Sequence, residues 1–464
     1  MKSYKYIFPL LLSLAACRVG RNYERPAVPL PVTFTATGDT LSIADSSRTQ
    51  FYSDPLLIRL IDTAVINNYD LLTALTRIAN AGQEVRRAKA AFAPVIEAQV
   101  GANTGIYGKN TINGISDEAF LGKDHLEDYS VSATLSWEVD VWGKIRRQKE
   151  AALAEYLKSR EGERAVQTTL VSDIAQGYYN LQMLDAQLEI ARHSLALGDS
   201  ILDMTRLEKN AGDVTQLAVE QADAQRQAAA LLVPQLLQGI SLQENALHIL
   251  TGTLPGSPIP RQALVHALPV SLAVGLPAAL LSRRPDVRAA EMELVAANAR
   301  VGAAQANLYP VLSITAGGGL DAFKASNWFS IPNSLFGLLG GALAEPILNG
   351  RALRTQYEES KIAREQAVIA FRQSVLNAVG EVSDALVSYQ RLMEQERIAA
   401  TRTETLRQAI AHAQLLFKSG LANYLEVITA QGNYLASELD YASIQRQQLS
   451  SRVELYRALG GGWQ

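Results

Sequence analysis

Between Tyr129 and Val141 apolar and polar residues alternate without a break. Tyr129, Val131, Ala133, Leu135, Trp137, Val139 and Val141 interleave with Ser130, Ser132, Thr134, Ser136, Glu138 and Asp140. A period of two puts the sets on opposite faces of a β-strand, and the run is long enough to cross a bilayer when tilted. Trp137 and Trp142 suit a membrane interface. Upstream, Ile96, Val100 and Ala102 alternate with Glu97, Gln99 and Asn103, and the polar stretch 108–128 reads as a long hairpin loop. A third strand is expected where Leu312, Ile314, Ala316 and Leu320 alternate with Ser313, Thr315 and Gly317. A fourth, at about 334–345, is glycine-rich and nearly all apolar, so the pattern sets no register. A soluble antiparallel sandwich is the competing reading. If the strands span a membrane, four cannot close a barrel, and an open edge is not tolerated in lipid. Three chains would supply twelve strands and leave a water-filled lumen.

Proline placement divides the rest. None lies between Pro94 and Pro234 or after Pro346, whereas Pro255, Pro258, Pro260, Pro269, Pro277 and Pro285 cluster. Proline breaks helix interiors, so the gaps accommodate long helices and the cluster reads as a linker. Residues 146–209 and 353–419 are rich in Ala, Leu, Gln and Glu. Each would run on the order of 95 Å as one helix, which suggests coiled-coil or helical-barrel packing. Each ends at a glycine turn, Lys209 to Asp213 around Gly212, and Lys418 to Asn423 around Gly420 and Leu421. Glycine supplies a left-handed cap and Lys suits the helix dipole. Return helices are predicted over 215–250, broken or kinked near Pro234, and 423–459. The result is two long antiparallel hairpins.

The chain begins MKSYKYIFPLLLSLAAC, with Lys2 and Lys5 before a short apolar run, then Ala15, Ala16 and Cys17. The apolar run is too short to span a bilayer, so it reads as a signal peptide, 1–16. Leu14-Ala15-Ala16-Cys17 looks like a lipobox, with Cys17 as the lipid-attachment residue. An ordinary signal peptide with an incidental cysteine is the alternative. Arg18 follows, so the Asp that favours inner-membrane retention is absent. Cys17 is the only cysteine, which removes disulfide frameworks and cysteine zinc sites. The five histidines lie apart, with no paired-ligand spacing. There is no phosphate loop or GxSxG elbow, and a net charge of −3 gives no support for a nucleic-acid partner. These features argue against an enzyme, a cofactor and a metal site.

The halves also repeat. With Pro94 set opposite Pro310, Asp70 meets Asp286, Ala74 meets Ala290, Ala88 meets Ala304 and Val95 meets Val311. Further on Gly212 meets Gly420, Leu217 meets Leu425 and Ala222 meets Ala430. The expected organisation is a signal peptide at 1–16, an extended leader at 17–50, a first repeat at 51–253, a linker at 254–277 and a second repeat at 278–464.

The leader Cys17-Arg18-Val19-Gly20-Arg21-Asn22-Tyr23-Glu24-Arg25-Pro26, the run from Gly275-Leu276-Pro277 to Arg283-Arg284-Pro285-Asp286-Val287-Arg288-Ala289-Ala290-Glu291, and Glu381-Val382-Ser383-Asp384-Ala385-Leu386 carry a family resemblance. Over nearly its whole length the sequence resembles the TolC-like outer-membrane efflux proteins, in particular the NodT-type lipoprotein branch. The resemblance implies a mixed α and β membrane protein. Its homotrimer forms an outer-membrane β-barrel, four strands per chain, continued by a long periplasmic α-helical barrel. It implies a passive exit duct for drugs or other small molecules. The partners would be a periplasmic adaptor and an inner-membrane efflux pump, most often of the resistance-nodulation-division class, with outer-membrane lipid around the barrel. From the residues alone, Asp286 is expected to cap the helix after Pro285, and Arg283, Arg284, Arg288 and Glu291 to pair locally at helical spacing.

Function is expected to concentrate at the hairpin tips. The resemblance makes Lys209, Gly212, Asp213, Lys418, Gly420 and Leu421 adaptor-docking residues; a plain helix cap is the alternative for each glycine. Relatives often carry V-L-D-A-Q past the second turn. Here Val427-Ile428-Thr429-Ala430-Gln431 puts Thr429 in place of the acid, while Glu426 lies one turn earlier. Glu426 and Thr429 are the candidate periplasmic gate, since a trimer would gather three glutamates into a cation-favouring ring. A solvated helix face is the alternative. A heavy-metal or type I secretion duct of the same shape, and a non-porous lipid-anchored coiled-coil scaffold, compete with the efflux duct.

Overall fold

The computed structural model describes residues 19–34, 42–116, 119, 122–123, 125–264 and 274–463. The signal segment, Cys17, Arg18 and linker residues 265–273 lie outside the described residues. The main elements in order are α1 (Pro55–Asn67), α2 (Tyr69–Ala90), β1 (Val95–Gly105), β2 (Leu126–Val139), α3 (Lys144–Ala211), α4 (Gln216–Leu250), α5 (Pro285–Ala306), β3 (Val311–Ala322), β4 (Leu335–Ala344), α6 (Ala352–Lys418) and α7 (Tyr424–Ala458). The chain forms two compact units. One takes residues up to Pro26 with Ala79–Leu157 and Met292–Ile369, the other Ala27–Ile78, Lys158–Glu291 and Ala370–Gln464.

The first unit holds one antiparallel sheet in the order β1-β2-β3-β4. Register aligns the apolar positions across all four strands. Val100, Val131, Leu320 and Leu335 form one row, and Ile96, Leu135, Ala316 and Leu339 another. This fixes the fourth strand: Leu335, Gly337, Leu339, Gly341 and Leu343 belong to the apolar face. The opposite face carries Gln99, Ser132 and Gly319 in one row and Glu97, Thr134 and Gly317 in the next, continued on β4 by Phe336 and Leu338, so that β4 is apolar on both sides. At Gly319 a β-carbon would collide with the Val131 carbonyl oxygen, so β2 and β3 approach too closely there for any side chain. The apolar face is exposed in the single chain, Val100 by 70% and Leu339 by 81%.

The second strand stops at Val139. Val141, expected within the alternation, and Trp142 lie beyond it because Asp140 turns the chain into α3. Its carboxylate accepts the amides of Ile145 (2.9 Å) and Arg146 (3.1 Å), which are free donors of the first helical turn. Trp142 instead stacks on Tyr309, with ring centres 4.9 Å apart, and donates to the Pro310 carbonyl.

In the second unit Tyr52, Leu57, Ile61, Leu170, Ile174, Tyr178, Leu181, Leu247 and Val453 belong to one core cluster. The phenol of Tyr178 donates to Asp54 at 2.6 Å. Burial, then that hydrogen bond, pushes its pKa above the usual tyrosine value. Of the break or kink expected near Pro234, the break does not occur; α4 runs through it. Buried Ala229 and Ile240 lie on either side, and Val233 packs on the core, so tertiary contacts hold the helix across the missing amide.

The arginine run differs from its expected local pairing. Arg284 is buried, and its guanidinium takes Asp286, Glu381 (2.9 Å) and the Ala458 carbonyl (3.0 Å). Arg283 pairs with Asp45 and Arg288 with Glu161. Asp286 sits in the first turn of α5. Burial opposes its charge, but the Arg284 guanidinium and nearby backbone amides outweigh that and hold the carboxyl below its ordinary value. Side chains this long reach neighbouring segments as easily as their own helix, and burial rewards a shared acceptor set.

Candidate functional site

Both hairpin turns are built the same way. After α3, Gly212 adopts φ +90°, its amide bonds the Lys209 carbonyl (3.0 Å), and the Asp213 amide bonds that of Glu208 (2.9 Å). After α6, Gly420 adopts φ +72°, bonding Phe417 (3.0 Å), while Leu421 bonds Leu416 (2.9 Å). These paired bonds satisfy carbonyls that the helix end leaves free, and the positive φ favours glycine. Nothing lies within 4 Å of a β-carbon placed on either glycine, so conformation alone selects the residue.

The residues facing each other across the caps differ. This position usually holds an apolar contact, which Leu416 and Leu421 match. The first turn puts Glu208 against Asp213. Burial, then the Asp213 charge, raises the pKa of Glu208. The Lys209 ammonium bonds the Gln216 side chain across the turn. Lys209, Gly212, Asp213, Lys418, Gly420 and Leu421 are all exposed.

Beneath the turns, Ile201 and Leu202 of α3, Ala222 of α4, Phe417 of α6 and Val427 of α7 form one core cluster. The structure therefore brings the two hairpin ends together through their inner faces. Asn423 caps α7, its side chain accepting the amides of Leu425 (2.9 Å) and Glu426 (3.2 Å). Glu426 and Thr429 share an exposed face of that helix, with Val427 buried behind them. Glu426 also stands in the first turn, where a negative charge suits the helix dipole.

Sequence reasoning missed the most deeply buried cation among the described residues. Arg147, 0% exposed, donates to the Gly20 carbonyl (2.8 Å), Asn22 (3.3 Å) and Glu150 (2.8 Å). It pins the leader, and the Val19 amide bonds the Trp142 carbonyl at 3.2 Å. No spacing rule links residue 147 to residue 20, so no sequence signal pointed to it. Glu208 was missed because it matters only once the cap register is known. The proposed lipid site, Cys17, lies outside the described residues.

Comparison with known proteins gives a consistent result. The outer membrane efflux protein family matches residues 60–253 and again 276–461. The cation efflux system protein CusC of Escherichia coli O6:H1 (strain CFT073) is 29% identical over 463 residues, 98% of each chain. The toluene efflux pump outer membrane protein TtgF of Pseudomonas putida is 29% identical over 476 residues, covering 100% of this chain and 98% of TtgF. The solved outer-membrane channel OprN has a TM-score of 0.88 at 26% identity, covering 96% of this chain and 100% of OprN. Strand register, paired hairpins and matches to both halves lead to one conclusion: the chain belongs to the outer membrane efflux protein family and is an outer-membrane efflux channel.

Proposed function

We propose that three copies of the chain close a twelve-stranded barrel in the outer membrane and continue it as a periplasmic helical barrel. The trimer is then the passive exit duct of a tripartite pump. It does no chemistry, and an inner-membrane pump of the resistance-nodulation-division class drives cargo through a periplasmic adaptor. The observation that carries this reading is the sheet. It exposes an aligned apolar face, and among the described residues β1 and β4 are edge strands. An apolar sheet with open edges is compatible with lipid only if neighbouring chains pair those edges.

The cargo we assign is drugs and other small molecules. CusC and TtgF, named for cations and toluene, are equally identical to this chain, so a cation cargo is the second reading. The halves are a duplication, supported by the double family match. Cys17 carries the lipid, and the pinning of Val19 near the end of β2 supports an anchor close to the membrane. The tip turns dock the adaptor. Glu426 and Thr429 face the closed end as a gate.

The test is compound accumulation in a deletion strain, with wild-type and Cys17→Ala copies restored separately. Deletion should raise accumulation of several unrelated compounds and wild type should reverse it. Unchanged accumulation alongside retained metal or secreted protein would move the cargo to the alternative. Persistent palmitate labelling of Cys17→Ala would remove the lipid assignment. An open-channel cation preference left intact by Glu426→Gln would remove the gate.

A further inference from the structure

The leader passes a cavity of about 850 Å³ in the strand-bearing unit. Arg21 of the leader, Asn298 and Gln305 of α5, and Lys361, Arg364 and Glu365 of α6 contribute to its wall. We propose that this cavity binds the phosphate of a phospholipid headgroup from the periplasmic leaflet of the outer membrane.

The argument begins with preorganisation. Arg147 holds the Gly20 carbonyl on one side of Arg21 and the Asn22 side chain on the other. Buried Asn298 donates to the carbonyl of Arg21 itself at 3.1 Å. The backbone that presents the Arg21 side chain is therefore held at Gly20 and Arg21, with the Asn22 side chain tied to Arg147. Asn298 uses its oxygen to accept the Nε of Arg364 at 3.0 Å, which aims that guanidinium while leaving its two terminal nitrogens without a carboxylate among the described residues. Arg21 likewise has no carboxylate partner among the described residues. Lys361 is partly neutralised by Glu358 at 2.7 Å, and Glu365 lies in the wall. Counting both acids, one positive charge remains, with two guanidinium forks available. Such forks match the oxygens of a phosphate better than a single ammonium does.

The position supplies the source. This step rests on the reading that Cys17 is lipidated. Arg21 stands four residues after Cys17, so an extended chain separates them by at most about 14 Å. Acyl chains on Cys17 would therefore keep Arg21 within reach of the headgroup layer, which is on the order of 5–8 Å thick on each side of the bilayer. A phosphate is then available beside the cavity at high local concentration, and the volume takes a whole headgroup as well as an ion.

The test is native mass spectrometry of the full-length protein extracted from outer membranes and titrated with phosphatidylglycerol. Wild type should saturate at one lipid per chain. Arg21→Gln and Arg364→Gln should each weaken binding about tenfold, as expected for a lost charge-assisted pair. Arg300→Gln, on the same helix as Asn298 but paired with Glu155 and Glu293, should bind like wild type. Arg21 lies in the exposed leader, so its variant keeps the test valid even if Arg364→Gln fails to fold. Unaltered binding by Arg21→Gln overturns the site, as does equal competition by diacylglycerol, which has no phosphate. Full displacement of lipid by millimolar inorganic phosphate reassigns the cavity to a free ion and overturns the lipid source. Palmitate labelling of the same samples separates the two readings. A labelled chain without lipid binding sinks the cavity alone. An unlabelled chain that still binds keeps the cavity and removes the Cys17 reading.

Discussion

The two halves of the chain use one backbone plan with two sets of side chains. At the first strand-to-helix junction Asp140 caps α3, Lys144 pairs with Glu138 at 2.9 Å and Trp142 stacks on Tyr309. At the second, Gly350 and Arg351 both take positive φ, and Ile347 and Leu348 are at least 92% exposed in the single chain. At the tips the cap geometry is shared, but an acidic pair occupies the first and a leucine pair the second. Backbone geometry follows from helix ends and glycine, which are the same problem in each half. Side chains follow the surroundings, and these differ between the halves. The second junction therefore leaves apolar surface for something outside the chain, whereas the first is satisfied within it.

The largest expected effect tests the locked junction. Arg147→Met should cost about 3 kcal/mol, because buried acceptors lose their donor. It should also free the leader, read as faster trypsin cleavage after Arg21. Cleavage at the wild-type rate would mean the leader is held by other contacts.

Next is the asymmetry of the two junctions. Asp140→Ala should lower stability by about 1 kcal/mol through the lost helix cap. At the second junction, where Ile347 stands opposite Asp140, Asn349→Ala should cost nothing measurable, as the Asn349 side chain makes no capping bond among the described residues. Thermal dissociation of the assembled protein compares them, and equal losses would break the contrast.

At the tips the prediction is equality. Gly212→Ala and Gly420→Ala should each cost about 1 kcal/mol, since both force a left-handed side chain into otherwise open space. Hydrogen exchange of the turn amides reads the loss. A much larger effect at one turn would show that something packs on it in the assembly.

The smallest effect is in pH. Glu208 holds its proton more tightly in the folded hairpin, so the first tip should gain stability as pH falls through its raised pKa toward the ordinary glutamate value. Asp286 has the opposite sign. Its contribution is present above the ordinary aspartate pKa and is lost as pH falls through its depressed one. Protection of the tip amides, relative to their intrinsic exchange rate at each pH, should rise as pH falls in wild type and stay flat in Glu208→Gln.

Much of this was legible beforehand. The alternation around Tyr129 to Val139 located β2, proline gaps made room for α3 and α6, and the Ala-, Leu-, Gln- and Glu-rich runs with their closing glycine turns bounded those helices to within a few residues. Periodicity and proline act locally, so the chain displays them. The tip glycines were legible for the same reason. Of the break or kink expected near Pro234, a break is absent because core packing by Val233 and its neighbours prevailed over the local rule.

The sequence by itself determined the strands, the long helices, their caps and the family to which they belong, because each rests on interactions within a few residues. Only the tertiary structure decided the register of β4, the partners of Arg283, Arg284 and Arg288, and the clamp of Arg147 on Gly20. Those contacts join segments far apart in the chain. Their selection depends on which long side chain reaches which buried acceptor once the helices have packed, and no spacing along the sequence encodes that distance.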